Sequence, residues 1–474
     1  MSQHARVVII GPGSAGLSAL REVRHATDDF LIVNDGHWGT TCAESGCMPS
    51  KALIEAANAF HRRHDFEAFG ISGIEALRID VPSVMARMKR MRDGFTKSPR
   101  KVPKALGDKA ISGRATLLGP NRIEIEGHGE VTADAIILAT GSSPVLPGPW
   151  KTFGERILTT DTLFTLDDLP KRIAVIGMGA IGVELAQAMA RMGIEVAGFD
   201  ALESVAGMTD PEVAAVLRDA IAAELPLHLG APAEISEGDA GSLIVKGASG
   251  AEFEADAVLA AMGRKPNIAG LGLETLGVPL DDHGMPEVDA TTTRIGDLQV
   301  FLTGDANAIR PILHEASDEG HIAGRNAVAD APRCYSRRTS MAIAFSAPNA
   351  VRVGQSFKDL DGQDILIGSA DFATQSRARL AEEAYGMLRV YAEPETGKLL
   401  GCEMALPEGE HFAHLFGLAI QSGMSVFDML AMPFYHPVME EGLRSALREI
   451  SKQLPEEDRS DLSDCPEKGH PTLD

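Results

Sequence analysis

Apolar positions at the start of the chain fall into one short unbroken run, Val7-Val8-Ile9-Ile10, the pattern of a strand covered on both faces. Gly11-Pro12-Gly13-Ser14-Ala15-Gly16 interrupts it, and helical spacing then holds to about Arg24. A second apolar run, Phe30-Leu31-Ile32-Val33, closes at Asn34-Asp35. The whole succession returns: an apolar run over 173–176, then Gly177-Met178-Gly179-Ala180-Ile181-Gly182, a helical stretch to about Met192, and Val196-Ala197-Gly198-Phe199 closing at Asp200. In both copies 23 positions separate the first glycine from the residue that ends the second strand (11 to 34, 177 to 200). The pattern predicts one strand–turn–helix–strand unit used twice.

The remaining chain divides around these copies. A strand over 131–138 is broken by Ala139-Thr140-Gly141-Ser142-Ser143-Pro144, and proline and glycine cluster over 144–154, where a domain junction is expected. A matching strand and break occur at 257–262 and Gly263-Arg264-Lys265-Pro266-Asn267, and a run over 299–302 precedes Thr303-Gly304-Asp305. From about Ser336 strand-like runs (341–345, 365–369, 386–391) are followed by helical stretches at 412–423 and 440–454, an α+β character. Residues 455–474 are polar, acidic and proline-containing, as in a loose tail. The expected domains are 1–148, 149–265, a central segment 266–335 that completes the first domain, and 336–454.

Composition narrows the class. At 474 residues there is room for about three domains. A net charge of −23 removes the basic face that a nucleic acid or an anionic membrane would require. With 44% hydrophobic and 23% charged residues the chain is too apolar for disorder and too charged for a membrane protein. No run approaches the ~18 apolar residues of a membrane span, and no secretory signal is expected ahead of the first strand. These features predict a soluble, cytoplasmic protein.

Each repeated unit carries G-x-G-x-x-G between strand and helix. The first glycine permits the tight turn, the second lets backbone approach a pyrophosphate, and the third lets the helix pack on the strand. The helix N-terminus offers unpaired N–H groups and the positive end of its dipole. Two such units predict two dinucleotide sites. Asp200 ends the second unit as a carboxylate, and Ala201-Leu202-Glu203-Ser204 after it contains no arginine. A carboxylate accepts from a ribose 2′-OH and repels a 2′-phosphate, so this site is expected to take NAD rather than NADP.

Five cysteines, at 42, 47, 334, 402 and 465, are too few for a disulfide framework. Only Cys42 and Cys47 are close. Five positions apart in a regular helix, their Cα atoms would be about 8–9 Å apart, beyond the roughly 4.4–6.8 Å of a disulfide. Cys42 is therefore expected in irregular chain ahead of a helix, with Ser45-Gly46 giving freedom. Pro49 suits that helix's first turn, which puts Cys47 at its N-terminus, where a thiolate is stabilised. A disulfide closing so short a loop would be labile. No second cysteine or histidine pair lies at zinc spacing, so no metal is expected. Cys334 and Cys402 read as inert, and Cys465 as a solvated spectator.

Cys42-x-x-x-x-Cys47-Met48-Pro49-Ser50-Lys51 resembles the redox motif of the flavin-dependent pyridine nucleotide–disulfide oxidoreductases. The resemblance extends, in the family's order, to Ala139-Thr140-Gly141, Gly263-Arg264-x-Pro266-Asn267, Thr303-Gly304-Asp305, His314-Glu315-Ala316-x-Asp318-Glu319-Gly320 and His436-Pro437-x-x-x-Glu441. It runs from about residue 5 to 452. It implies an α/β fold of two Rossmann-like domains, for FAD and NAD, with a C-terminal α+β dimerisation domain and a homodimer as working unit.

The resemblance also implies roles. FAD would lie on the first unit, with Gly11, Gly13 and Gly16 under its pyrophosphate, Asp305 on its ribitol and Lys51 beside its ring. Ser14, Ala15, Thr41, Ala139, Thr140, Gly141, Gly304, His314 and Ala316 would be further cofactor contacts. Gly177, Gly179, Ile181, Gly182, Gly263 and Arg264 join them, with the first four in the NAD unit, and Glu184 matches the acid that pairs with the flavin-side lysine. The family ends its second strand with an acid on the FAD ribose; here position 34 is Asn, leaving the contact to Asn34 or Asp35 and predicting weaker FAD retention. Cys42 would be the interchange thiol, Cys47 the flavin-side thiol, and His436, oriented by Glu441 at the start of a helix marked by Pro437, the base serving the partner subunit's cysteines. The implied reaction is oxidation of dihydrolipoyl groups by NAD⁺. NADH-dependent reduction of another disulfide or of mercuric ion, and a low-turnover docking subunit of a multienzyme complex, remain as alternatives. Departures at Thr40, Ala43-Glu44, Asn349, Tyr435 and Val438 bear on the substrate entrance.

Overall fold

The structure, a computed structural model, describes residues 3–247 and 250–454; the acidic tail and Cys465 lie outside the described residues. The chain forms two compact units, the first from residues up to 55, 80–169 and 259–337, the second from 56–79, 170–258 and the residues from 338 on.

In the first unit the opening pattern becomes β1 (Gln3–Ile10), α1 (Ser14–Ala26) and β2 (Phe30–Asn34), followed by α2 (Thr41–Glu44), α3 (Cys47–His61) and β3 (Gly129–Leu138). β1 lies between β2 and β3, parallel to both, with Val7 beside Phe30 and Ala135. Val300–Leu302 adds a parallel strand on the far side of β3, and two antiparallel strands, Arg122–Ile125 and Ala115–Gly119, extend the sheet. Alternate residues feed two cores, which is why these strands read as unbroken apolar runs. Val7, Ile9, Ile32 and Ile137 face α1 and helix Leu313–Ala327. Val8, Ile10, Val33, Ile136 and Leu138 face the opposite side. The two helices touch closely because Gly320 carries no side chain: a Cβ there would lie 2.1 Å from the Ala15 carbonyl oxygen.

The second unit repeats the plan with β4 (Arg172–Ile176), α4 (Ala180–Arg191) and β5 (Glu195–Asp200). β5 runs parallel to β4 on one side and to Leu227–Leu229 on the other. The expected α+β segment is a five-stranded antiparallel sheet in the order Met341–Ala344, Asn349–Gly354, Leu399–Leu406, Met387–Ala392, Leu366–Asp371. Helices Gly409–Gln421 and α5 (Glu441–Ser451) cover it. Leu443, Leu447 and Ile450 of α5 are fully buried, each worth about 1.5–3 kcal/mol of burial, so the start of α5 at Glu441 is firmly placed. α4 carries a buried polar stripe at helical spacing, Glu184, Gln187 and Arg191. The Gln187 amide pairs in both directions with Ala347, and Arg191 forms a two-pronged pair with Glu224 at 2.6 and 2.7 Å. Every group of that stripe is thus satisfied, as buried polar atoms must be. Among the described residues no helix is long and apolar enough to cross a membrane.

Candidate redox and nucleotide sites

The first G-x-G-x-x-G forms a cradle. Gly11 has φ 103°, and a Cβ there would sit 2.3 Å from the Ala139 carbonyl oxygen. A Cβ on Gly16 would lie 1.9 Å from the Gly11 oxygen, so only glycine lets α1 approach its own turn. Gly13 is the N-cap of α1 with no side-chain cap bond, and it lines a cleft of about 460 Å³ with Asn34, Asp35, Thr41, Thr140, Gly141 and Lys265. Thr140 Oγ1 is buried there without a hydrogen-bond partner among the described residues. An uncapped helix N-terminus, an open cradle and an orphaned hydroxyl fit the pyrophosphate half of FAD.

Three motifs meet beside this cleft. Ser142 Oγ donates to Asp305 Oδ2 at 2.6 Å and accepts from Arg264 Nε at 2.8 Å, while Arg264 Nη2 donates to the Ser142 carbonyl at 2.6 Å. Asp305 is thereby held by one oxygen. The turn carrying it is fixed from beneath: Gly304 N and Asn307 Nδ2 each donate to Glu319 Oε2 at 2.7 Å, and Arg337 donates to Glu319 at 2.8 Å and to Glu315 at 2.5 Å. Burial pushes the Glu319 carboxyl up, against Arg337. Burial also opposes ionisation of Glu315, but Arg337 and Arg310 hold its carboxyl below the usual range. Sequence reasoning named neither Ser142 nor Glu319 as a site residue, although both lie inside the motifs quoted. Of the expected cofactor contacts, Ala15, Ala139 and Ala316 pack on one another, and His314 is exposed.

Cys42 lies in α2, a single helical turn, where irregular chain was expected. Thr40 supplies the reason: it caps that turn by accepting from Ala43 N. The break falls at Ser45-Gly46, so the two cysteines do not share one helix, and Cys47 opens α3. Gly46 permits the fold-back, since a Cβ there would be 3.0 Å from the Thr41 carbonyl oxygen and 3.2 Å from the Cys42 Cα. The half-buried thiols hydrogen-bond to each other; that bond and burial push the Cys42 thiol up, while the charge of Lys51 pulls it down. Glu44, a departure from the family pattern, accepts from His37 at 2.8 Å and from Arg100 at 3.2 Å, which leaves it holding the loop before α2.

In the second unit His436 Nδ1 lies 3.0 and 3.1 Å from the two carboxylate oxygens of Glu441. The helix begins at Glu441 rather than at Pro437, so Glu441 is its first residue; Val438 N also donates to it. The hydrogen bond from His436, with lesser contributions from Val438 and Arg444, holds the Glu441 carboxyl below its usual range. The imidazole is three-quarters exposed, leaving Nε2 for a substrate, and the adjacent Tyr435 is 81% exposed.

The second cradle has Gly177 at φ 97°, open space beside Gly179, and an uncapped α4 N-terminus that begins Ala180-Ile181-Gly182. Asp200 is oriented by two backbone donors, Met178 N at 2.6 Å and Leu202 N at 2.8 Å. A carboxylate fixed at the end of β5 beside this open turn fits the ribose of NAD. Glu184 accepts from Phe345 N at 2.8 Å. Gly263, at φ 94°, accepts from Val145 N in the first unit. Among the described residues no cluster of three or more His, Cys, Asp or Glu is arranged to hold a metal ion.

With this geometry in view, the family model for pyridine nucleotide-disulphide oxidoreductases matches residues 5–321, and that family's dimerisation domain matches 340–447. A dihydrolipoyl dehydrogenase of Thermus scotoductus is 31% identical over 462 residues, covering 94% of this chain and 97% of that protein. One from Haloferax volcanii is 30% identical, covering 93% and 95%. Among solved structures, LpdA from Mycobacterium tuberculosis superimposes with a TM-score of 0.81 at 24% identity, covering 94% of this chain and 99% of that one. The HOCl-induced flavoprotein disulfide reductase RclA from Escherichia coli, as its Cu(II) complex, gives 0.80 at 22%, with the same coverage. At those identities the two structures speak for the fold.

Proposed function

The chain belongs to the pyridine nucleotide-disulphide oxidoreductases, and from that membership we propose that it oxidises dihydrolipoyl groups with NAD⁺ as acceptor, through a redox disulfide formed by Cys42 and Cys47. FAD and NAD are the family's cofactors. The observation that carries the reading is the mutually bonded thiol pair, Cys42 in α2 and Cys47 opening α3, beside Lys51 and in the same unit as the FAD cleft. The dihydrolipoyl dehydrogenases at about 30% identity over nearly the whole length support the substrate class.

The chain's own groups divide the work. His436 Nε2 takes the proton of a substrate thiol, and Glu441 fixes the ring and steadies the imidazolium. The substrate thiolate attacks Cys42 Sγ of the disulfide; the S–S bond breaks and its electron pair leaves on Cys47, where the α3 dipole and Lys51 favour a thiolate. The second substrate thiolate then attacks the substrate sulfur of the mixed disulfide, closing the product disulfide and freeing Cys42. FAD held over Gly11, Gly13 and Gly16 would supply the redox chemistry between the reduced Cys42–Cys47 pair and NAD⁺, taking up the electron pair and giving it on as hydride. The dimerisation domain supports a homodimer in which His436 serves the cysteines of the second subunit.

The reverse reaction, NADH reducing another disulfide, uses the same groups, and Tyr435 beside His436, a departure from the family pattern, is exposed. The deciding experiment is a kinetic panel on the purified protein with dihydrolipoamide, a lipoyl protein, glutathione disulfide and mercuric ion, each with NAD(H) and NADP(H). The proposal expects the highest kcat/KM for dihydrolipoyl substrates with NAD⁺. A higher kcat/KM for another disulfide overturns the substrate, and one favouring NADP overturns the role given to Asp200.

A further inference from the structure

The acid that the family places at the end of its second strand is Asn34 here, and the structure shows that its two N–H groups are occupied. Both N–H bonds of its amide go to the loop that follows, to the Gly36 carbonyl at 3.1 Å and the His37 carbonyl at 2.9 Å. A carboxylate could make neither bond, so Asn34 shapes the loop, and the loop presents Asp35 at the mouth of the cleft.

Asp35 faces a cation. Arg114 follows Gly113, whose N–H donates to the Asn34 carbonyl at 2.9 Å, so its backbone is tied to the end of β2. Its guanidinium reaches both walls of the cleft: Nη1 lies 3.4 Å from Asp35 Oδ2, and Nη2 donates to the Ala269 carbonyl at 3.2 Å. Asp35, Arg114 and Ala269 all line the cleft whose floor is Gly11-Pro12-Gly13. A planar guanidinium stretched across that opening offers a stacking face to a purine, and the Asp35 carboxylate offers an acceptor to ribose hydroxyls one residue beyond the family's position.

We propose that Arg114 and Asp35 form a clasp that receives the adenosine half of FAD, supplying beside the neutral Asn34 the charged acceptor that position 34 lacks. The clasp rests on the FAD assignment, and its test separates the two. Apoprotein is titrated with FAD and with FMN, which lacks the adenosine half, following quenching of flavin fluorescence for wild type, Arg114→Ala, Asp35→Asn and the double variant. The clasp predicts that each single variant raises the Kd for FAD roughly tenfold, that the double variant adds little more because the two groups act together, and that FMN binding does not change. Arg114→Lys keeps the charge but loses the fork and the stacking plane, and should fall between. FAD binding unaltered in the variants, or FAD and FMN weakened equally, overturns the clasp while leaving the flavoprotein reading in place. Failure of the wild type to take up FAD overturns that reading itself.

Discussion

Ser142→Ala tests the proposed role of Asp305 at the ribitol of FAD. Ser142 is 8% exposed, and its hydroxyl joins Arg264 Nε at 2.8 Å to Asp305 Oδ2 at 2.6 Å. The substitution removes one bond to a carboxylate and one from a guanidinium. Arg264 keeps its second bond, to the Ser142 carbonyl, so the strand pairing of Arg264–Pro266 with Ser142–Pro144 survives. A hydrogen bond to a charged partner is worth about 1.5–3 kcal/mol, and water has little access to replace it. Asp305 would then have to be ordered at the expense of flavin affinity, which corresponds to a rise in the Kd for FAD of about tenfold to a hundredfold. The assay is fluorescence titration of apoprotein with FAD and with FMN; both contain ribitol, so both should weaken alike. The thermal midpoint of the apoprotein should move little by comparison. Unchanged affinity for both flavins would falsify the idea that Ser142 positions Asp305.

Replacing Arg337 by Met leaves Glu319, 0% exposed, without the cation it pairs with, while Glu315, 2% exposed, keeps Arg310 at 2.9 Å. Breaking a buried pair costs about 3–5 kcal/mol. Burial already raises the Glu319 carboxyl above its ordinary value of 4.5 against the pull of Arg337, and the variant removes that pull, so the penalty is present at neutral pH and fades as pH falls toward 4.5; urea unfolding across this range should show the variant converging on wild type, and a pH-independent gap contradicts it. Glu441→Gln should lower dithiol turnover about tenfold or more by loosening His436. The effect should vanish in a His436→Ala background, and steady-state kinetics of the double variant would expose any role of Glu441 independent of the histidine.

Much of the fold was legible because its signals are local. The unbroken runs of β1, β2, β4 and β5 and the glycines between them each declare a strand and a turn within a few residues. The central strands Asn349–Gly354 and Leu399–Leu406 were not read, because each is meaningful only beside a partner distant in sequence. One boundary was displaced where a cap decides it, since Thr40 winds Cys42 into a helical turn; α5 begins at Glu441 with no side-chain cap. The candidate site divides in the same way. Its cysteines and glycines stand in compact motifs, whereas the groups that hold them in place come from afar: Ser142 reaches Asp305 across 163 positions and Arg114 reaches Ala269 across 155. Spacing along a chain carries no trace of such contacts.

The central claim is that Cys42 and Cys47 pass electrons between a dithiol and the flavin. Cys42→Ser, purified with FAD, measures it most directly in a stopped-flow spectrophotometer. The account predicts that dihydrolipoamide no longer reduces the flavin or supports NADH formation, while NADH still bleaches the flavin absorbance at a rate near that of wild type. Dithiol turnover persisting at the wild-type rate in that variant contradicts it.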